Sequence, residues 1–398
     1  MSSDTQVLVA KLRTIASEFS VDALARGQRP ALADTDFARL AGAGFLATGL
    51  PAAEGGHWHG LSASVRNYAE LICTIAMGDP SVALVASMHP LVLCLWHAAD
   101  SAADSPESEC AALATQQRFV YDTVRTGCWW GTITSEPGTG GDIARSRAVA
   151  EAQGGLSYLL SGEKHFGSGA GIVSFMTTAA RVSGMDDPPT FFLDMRDVPW
   201  DGSTGLTLLR SWDGHGMMAT QSHAFRFARF PATRIAAPSA AARAIMAPLA
   251  AVMFASVAVA IVRLAMDWAR RTARRTVRKN EQQTGGQGHT AAPRAFETSE
   301  LVRAEGSAWL IEQAYEGAIR AAEGSDLRAA QIATLHAKLV IAEMGEELLL
   351  RLGRIVGGGS YSRSQPLGQW SQDIRALGFL RPPWGLAAEQ LSDLLIAD

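Results

Sequence analysis

The sequence predicts an α+β protein with an N-terminal helical domain, a middle β-barrel and a C-terminal four-helix bundle. Three observations predict it. Residues 1–125 carry apolar side chains at helical spacing. Residues 126–236 turn to short, glycine-punctuated runs that alternate or carry aromatic and β-branched side chains. Residues 237–398 return to long helical patterns. Helices, then strands, then long helices describe an inserted layer rather than a βαβ repeat.

In the first region, Phe37, Leu40, Phe45 and Leu46 fall near helical spacing, and Pro51, Gly55 and Gly56 close the segment. Tyr68 to Ile75 and Ala83 to Trp96 continue with apolar helical faces, parted by Asp79-Pro80. In the second region, Ser157 to Leu160, Ile172 to Thr177 and Ala224 to Phe230 read as strands of a small barrel or sandwich. In the third, Ala241 to Arg278 reads as one long helix, followed by a polar, Gly-rich loop from Asn280 to Pro293. Glu297 to Glu323 and Leu327 to Val356 read as two more helices, the latter stopped by Gly357, Gly358 and Gly359. A last helix is expected over Leu386 to Leu395.

A chain of 398 residues has room for two or three sub-domains with large cores. With 47% hydrophobic and 19% charged residues it reads as a globular enzyme rather than a disordered chain. A net charge of -4 points away from nucleic acid, which favours a basic partner. Cys73, Cys94, Cys110 and Cys128 include no CxxC pair, so no metal site is indicated and free thiols in a cytoplasmic protein are expected. The first residues show no basic stretch leading into an apolar run, so no secretory signal is expected. Ala244 to Val262 is uncharged and nearly long enough to span a bilayer. Pro248 and Ser256 interrupt it and charged turns follow, so a buried bundle helix is expected and no membrane span.

The chemistry-bearing motifs begin with Ser135-Glu136-Pro137-Gly138-Thr139-Gly140-Gly141-Asp142, a loop whose glycines allow backbone to approach a flat ligand. Gly162-Glu163-Lys164-His165-Phe166-Gly167-Ser168-Gly169 follows after a hairpin. Val356-Gly357-Gly358-Gly359-Ser360-Tyr361 stands near the C-terminus, followed by Pro366 and Asp373. In this order the segments resemble those of the acyl-CoA dehydrogenase superfamily: its T-E-P-G-x-G-S-D loop, its G-x-K-x-(W/F)-I-(T/S) strand, and its G-G-x-G-Y segment leading to an R-D pair. Gly44-Phe45-Leu46 through Leu50-Pro51 to Gly55-Gly56 is similar to a further family element. The resemblance covers nearly the whole chain.

That resemblance implies an acyl-CoA dehydrogenase-like fold and a bound FAD. It places Thr134, Ser135, Gly140 and Gly141 along the flavin, Phe166 against the isoalloxazine, and the Ser168 hydroxyl near flavin N5. Gly357 and Gly358 are implied to meet the FAD of a neighbouring subunit, hence a homodimer or homotetramer. The family's usual pyrophosphate residues are absent. Basic side chains stand there instead, among them Arg270, Arg275 and, before the glycines, Arg354; arginine suits phosphate through bidentate bonds, and a solvated helix C-terminus is the other reading.

The family's dehydrogenases remove an α-proton of an acyl-CoA thioester with a glutamate while hydride passes to the flavin and on to an electron acceptor. Eight residues beyond Asp373 stands Arg381, and the alternative position falls on Ala250, so neither expected glutamate is present. Asp213 is a weak substitute. The rival implied by the resemblance is a monooxygenase branch that takes reduced FMN or FAD from a reductase partner and works in a dry pocket lined by histidines. His165 and His89 suit that role, whereas the branch's C-terminal histidine falls on Leu380. Buried or surface positions are the plain alternative for both histidines, and His215 and His223 have weaker claims. A third reading is a repurposed flavoprotein without catalysis. The small-molecule substrate is left open, with Trp384 a possible cap on its pocket.

Overall fold

A computed structural model describes residues 3–97, 107–236, 240–283 and 295–396, the side chains at 3, 240–243 and 275–283 excepted. The chain opens with six helices: α1 (Ser3–Val21), α2 (Ala23–Gln28), α3 (Asp34–Ala43), α4 (Leu61–Ala76), α5 (Pro80–His97) and α6 (Glu107–Arg125). Seven strands follow: β1 (Trp130–Thr132), β2 (Val149–Gly154), β3 (Ser157–Gly167), β4 (Phe175–Ala179), β5 (Thr190–Asp194), β6 (Leu206–Arg210) and β7 (His223–Arg234). Five helices complete it: α7 (Ala240–Gln283), α8 (Ala295–Glu323), α9 (Leu327–Val356), α10 (Leu367–Gly378) and α11 (Trp384–Ile396).

The strands form one sheet in the order β1-β4-β5-β7-β3-β2, with β6 also on β7. Only β1 and β4 run parallel; the other pairs are antiparallel. The sheet curls until β2 meets the residue just beyond β4. There Ala150 N–H donates to Arg181 O and Arg181 N–H to Ala148 O, both at 2.8 Å. The barrel therefore closes through a short bridge rather than a full ladder, which removes most of one open edge.

The expected helix over Leu327–Val356 is α9 to the residue, and Gly357 ends it at φ 79, where a side chain would be strained. Asp326 caps its other end by accepting from Ala329 N–H at 3.0 Å. The expected strand over Ile172–Thr177 begins instead at Phe175. Ile172 and Val173 N–H both turn back to Gly169 O, at 2.8 and 2.9 Å, so those residues form a turn. Phe45 and Leu46 lie beyond α3, in a 3-10 turn that starts after Gly44 at φ 104. Helix α10 has no counterpart among the expected elements. Of the expected loop over 280–293, Asn280 to Gln283 belong to α7 and the remainder lies outside the described residues.

Among the described residues, two helical stretches, Pro80–His97 and Ala244–Arg274, are long and apolar enough to cross a membrane by length and composition, and 89% and 72% of their apolar 18-residue windows are buried inside the protein. Helix α7 is covered by α4, α5, α8, α9 and α10, which is where a helix apolar all round belongs. Ion pairs fasten its flank: Arg263 holds Glu312 at 2.7 Å, and Arg270 holds Glu305 at 2.5 Å. One continuous core runs from α1 through the barrel to α10.

Candidate functional site

The Gly-rich loop of residues 134–142 is fixed by one buried carboxylate. Glu136 accepts from Arg147 N–H at 2.6 Å and Ala148 N–H at 3.1 Å, from the Ser146 hydroxyl, and from the Lys164 ammonium. Lys164 is fully buried and also donates to Ala179 O at 2.5 Å. Burial alone would raise the Glu136 carboxyl, but Lys164, Ser146 and the Arg147 amide outweigh it and hold the group below its ordinary range. Glu136 is thus a strut of the loop and has no free lone-pair direction for chemistry.

Strand β3 brings the second motif beside this loop. His165 N–H donates to Ser135 O at 2.8 Å. The ladder to β7 shifts between Lys164 and Gly167, and at that irregularity Phe166 takes φ 58. A bulky residue there costs on the order of 1–3 kcal/mol, a conformation kept only when the surroundings enforce it. Its result is a phenyl ring 58% exposed, at the end of a strand, with its edge against Trp212 at 6.0 Å. Trp212 is held in turn: its indole N–H donates to Met217 O at 2.9 Å, and its backbone N–H to His223 Nδ1 at 2.9 Å. His223, which burial holds below its usual range, is therefore a neutral acceptor that positions Trp212.

Behind Phe166 the hydroxyls form a chain. Ser168 Oγ lies 2.8 Å from Ser222 Oγ, Ser222 Oγ 2.7 Å from Thr220 Oγ1, and Thr220 Oγ1 donates to Met217 O at 2.8 Å. Met217 N–H donates to Asp373 Oδ1 at 2.6 Å, which also accepts from Gln369 at 2.8 Å. Asp373 so ties α10 to the barrel, and burial pushes its carboxyl up to about 7.

Arg381 closes the site from the C-terminal side. It donates to Thr134 Oγ1 at 2.5 Å and to Gly141 O. Gly141, at φ 86, has no room for a side chain: a Cβ would stand 2.8 Å from the Pro383 ring. Above Gly140, at φ 64, an added Cβ meets nothing within 4 Å. Beyond Arg381 lies a cleft among α7, α9 and α10 that Lys338 also lines.

The structure thus brings Thr134, Ser135, Gly140, Gly141, His165, Phe166 and Ser168 to one place. It corrects the reading of His89. This residue is fully buried, with Nε2–H donating to Leu46 O at 3.0 Å and Nδ1 accepting from Trp130 N–H at 3.2 Å. Both nitrogens are engaged by backbone and burial pulls the imidazole down to about 4, so His89 is a neutral strut. His165 is half-buried, and among the described residues its ring makes no hydrogen bond. Asp213 and His215 are exposed. Gly357, Gly358 and exposed Arg354 sit at the end of α9, with no hydrogen bond to the 134–168 cluster among the described residues. Arg270 is already paired with Glu305, and the side chain of Arg275 lies outside the described residues. Trp384 lies over Gly378 at the rim of the cleft, where a Cβ would come within 2.7 Å of its indole. A larger hollow, of about 590 Å³, lies between α6 and the sheet beside Phe119 and Phe192, away from every motif.

The sequence reading passed over Ser222, Thr220, His223's link to Trp212, and Lys338. Lys338 had a readable signal, since it lies three residues before buried Ile341 and four after buried Thr334, on the inner stripe of α9.

No protein-family model and no curated protein matches the chain. Solved structures do. KijD3, in complex with FMN and dTDP-3-amino-2,3,6-trideoxy-4-keto-3-methyl-D-glucose, is 21% identical, covering 100% of this chain and 94% of its own, with a TM-score of 0.80. A nitrososynthase from Micromonospora carbonacea var. africana is 21% identical over 100% and 98%, with a TM-score of 0.77. The methanesulfinate monooxygenase MsuC from Pseudomonas fluorescens is 21% identical over 100% and 97%, with a TM-score of 0.74. These likenesses show the fold, which is that of the acyl-CoA dehydrogenases.

Proposed function

We propose that this protein is a flavin-dependent monooxygenase that takes reduced FMN or FAD from a separate reductase and acts on a small molecule as a homo-oligomer. One observation carries the choice: eight residues beyond Asp373, where the resemblance to the dehydrogenases calls for a proton-accepting carboxylate, stands Arg381. A guanidinium does not accept a proton at neutral pH. Its partners Thr134 and Gly141 belong to the motif loop, so it faces the site rather than solvent. Glu136 is filled by four donors, and Asp373 is committed through Oδ1 to Met217 N–H and Gln369, where it ties α10 to the turn at Met217.

The residues fit a flavin. The open space over Gly140, the exposed Phe166 ring and the Ser168 hydroxyl offer a flat, half-apolar surface with one polar point. Thr134 and Ser135 would hold the ring's edge, and Arg354, Gly357 and Gly358 would serve a flavin on a neighbouring subunit. When bound, reduced flavin supplies the two electrons with which one oxygen atom of O2 enters the substrate and the other leaves as water. Phe166 and Trp212 would cover one side of the bound ring, and the Ser168 oxygen would be available to accept at its edge. The structures of KijD3 with FMN and of a methanesulfinate monooxygenase support the reading by likeness of fold.

The second reading, FAD-dependent dehydrogenation of an acyl thioester, is favoured by the motif loop and by Ser168, which resemble those of the dehydrogenases. The visible spectrum of the purified protein separates the two, followed by anaerobic titration with reduced and oxidised FMN and FAD. The monooxygenase reading expects little flavin as purified, binding of reduced flavin, and substrate oxygenation only when a reductase is supplied. Stoichiometric FAD that acyl-CoA bleaches anaerobically would overturn it in favour of the dehydrogenase.

A further inference from the structure

Two cations share one apolar cleft. Its walls are Phe254, Ala255 and Ala258 of α7, Ile341 of α9, and Ile374 and Leu377 of α10. Lys338 and Arg381 line it as well, and among the described residues neither has an ion pair. Among the described residues, Lys338 donates only to Gly378 O, at 3.3 Å, although an ammonium has three hydrogens to place, and Arg381 reaches only a hydroxyl and a carbonyl. The carboxylate bearing on Arg381 is that of Asp142, which accepts from Ala144 N–H at 2.9 Å and lies 3.5 Å from Arg145. Burial pulls the Lys338 ammonium down to about 8, the mark of a charge with no partner.

Both side chains are half-buried; a charge drawn out of water without a counter-ion is costly and is kept where an arriving charge neutralises it. We propose that this cleft takes the headgroup of the substrate and that the substrate is a small organic oxyanion, a carboxylate or sulfinate on a short apolar chain, its headgroup held between Lys338 and Arg381. The assignment deepens the monooxygenase reading and rests on it. Arg381 touches both the cleft and the motif loop, so an anion it holds lies beside whatever that loop binds. The cleft measures about 30 Å³, room for a headgroup of a few atoms and far too little for a nucleotide. The neutral acyl chain of a thioester would leave both cations unpaired, whereas an oxyanion headgroup of a few atoms pairs with them.

Calorimetric titration of the full chain, anaerobically and with or without reduced FMN, tests this with butanoate, butanesulfinate, butanamide and butylamine. At least one anion is expected to bind about 30-fold or more tightly than the amide and the amine, and the two anions tell carboxylate from sulfinate. Lys338→Met, which keeps the apolar stem, is expected to bring the anion's affinity to that of the amide while reduced FMN binds as before. Equal binding of anion and amide, or unchanged anion binding in Lys338→Met, overturns the proposal. Should that variant not fold, wild-type melting decides: anions raise Tm and the amide does not, and no anion-specific rise overturns the proposal. Loss of flavin binding with intact anion binding would sink the monooxygenase reading alone; the reverse would sink the anion site alone.

Discussion

Met217 O can only accept, and both Thr220 Oγ1 and Trp212 Nε1 donate to it. With the Thr220 hydrogen so committed, Ser222 donates to Thr220 and Ser168 to Ser222. The Ser168 hydrogen then points to Ser222, and its oxygen is left to accept. Reversing the chain forfeits one hydrogen bond, about 1 kcal/mol. Ser168→Ala is therefore expected to cost no more than about 1.5 kcal/mol in urea unfolding. Turnover should fall at least about tenfold, because the acceptor beside the ring is gone. Unchanged turnover would remove Ser168 from the machinery. His89 predicts the opposite pattern. His89→Leu strands Leu46 O and the Trp130 amide in the core, at a cost of roughly 2–4 kcal/mol. Turnover per folded molecule should stay near that of the parent, and a large loss at equal folding would restore His89 as a catalytic candidate.

The carboxyl of Asp373, clasped between α10 and the turn at Met217, gives a pH signature. Its folded pKa, about 7, lies above its unfolded value. Below pH about 4 both states are protonated and the group costs nothing. Between about 4 and 7 the unfolded chain ionises while the folded one holds its proton, so stability falls as pH rises, by roughly 4 kcal/mol in all. Asn keeps an acceptor for Met217 N–H and cannot ionise. Asp373→Asn should match the parent near pH 4 and exceed it at pH 8 in urea midpoints; parallel curves across that range would refute a proton held there. The same helix marks the limit of sequence reading. Helices α7, α8, α9 and α11 are long or strongly bounded, and local pattern places them within a few residues. Helix α10 is short, and its stripe of Leu367, Ile374 and Leu377 is buried by the preceding α9 and by α7, which lies far from it in sequence. The site divides likewise. Loop 134–142 and residues 165–168 are readable because each motif is contiguous. The Ser168–Ser222 contact spans 54 positions and the Arg381–Thr134 contact 247, and no local pattern announces either.

Helix α8 has one face too many for a single chain. Ala304, Ile311, Tyr315, Ala318 and Ile319 are buried against the bundle, yet Val302 and Trp309 are 67% and 61% exposed and Leu310 is 46% exposed. Leu350 on α9, at 63%, is a further exposed apolar side chain of the bundle. A helix apolar on both faces belongs inside a larger body, and large exposed patches mark association sites. At the end of α9, Gly357, Gly358 and Gly359 leave open space where a side chain would stand, and Arg354 is exposed beside them. Among the described residues they make no hydrogen bond to the chain's own motif loop, and a second copy gives them something to meet. The chain is therefore expected to be a dimer or tetramer in sedimentation velocity. Trp309→Glu with Leu310→Glu should dissociate it by burying charge in the interface. If the Gly357–Gly358 segment completes the flavin site of a neighbour, the dissociated variant should also lose at least about tenfold in affinity for reduced flavin. A monomeric parent would refute the association, and a dissociated variant with full flavin affinity would place the whole flavin site within one chain.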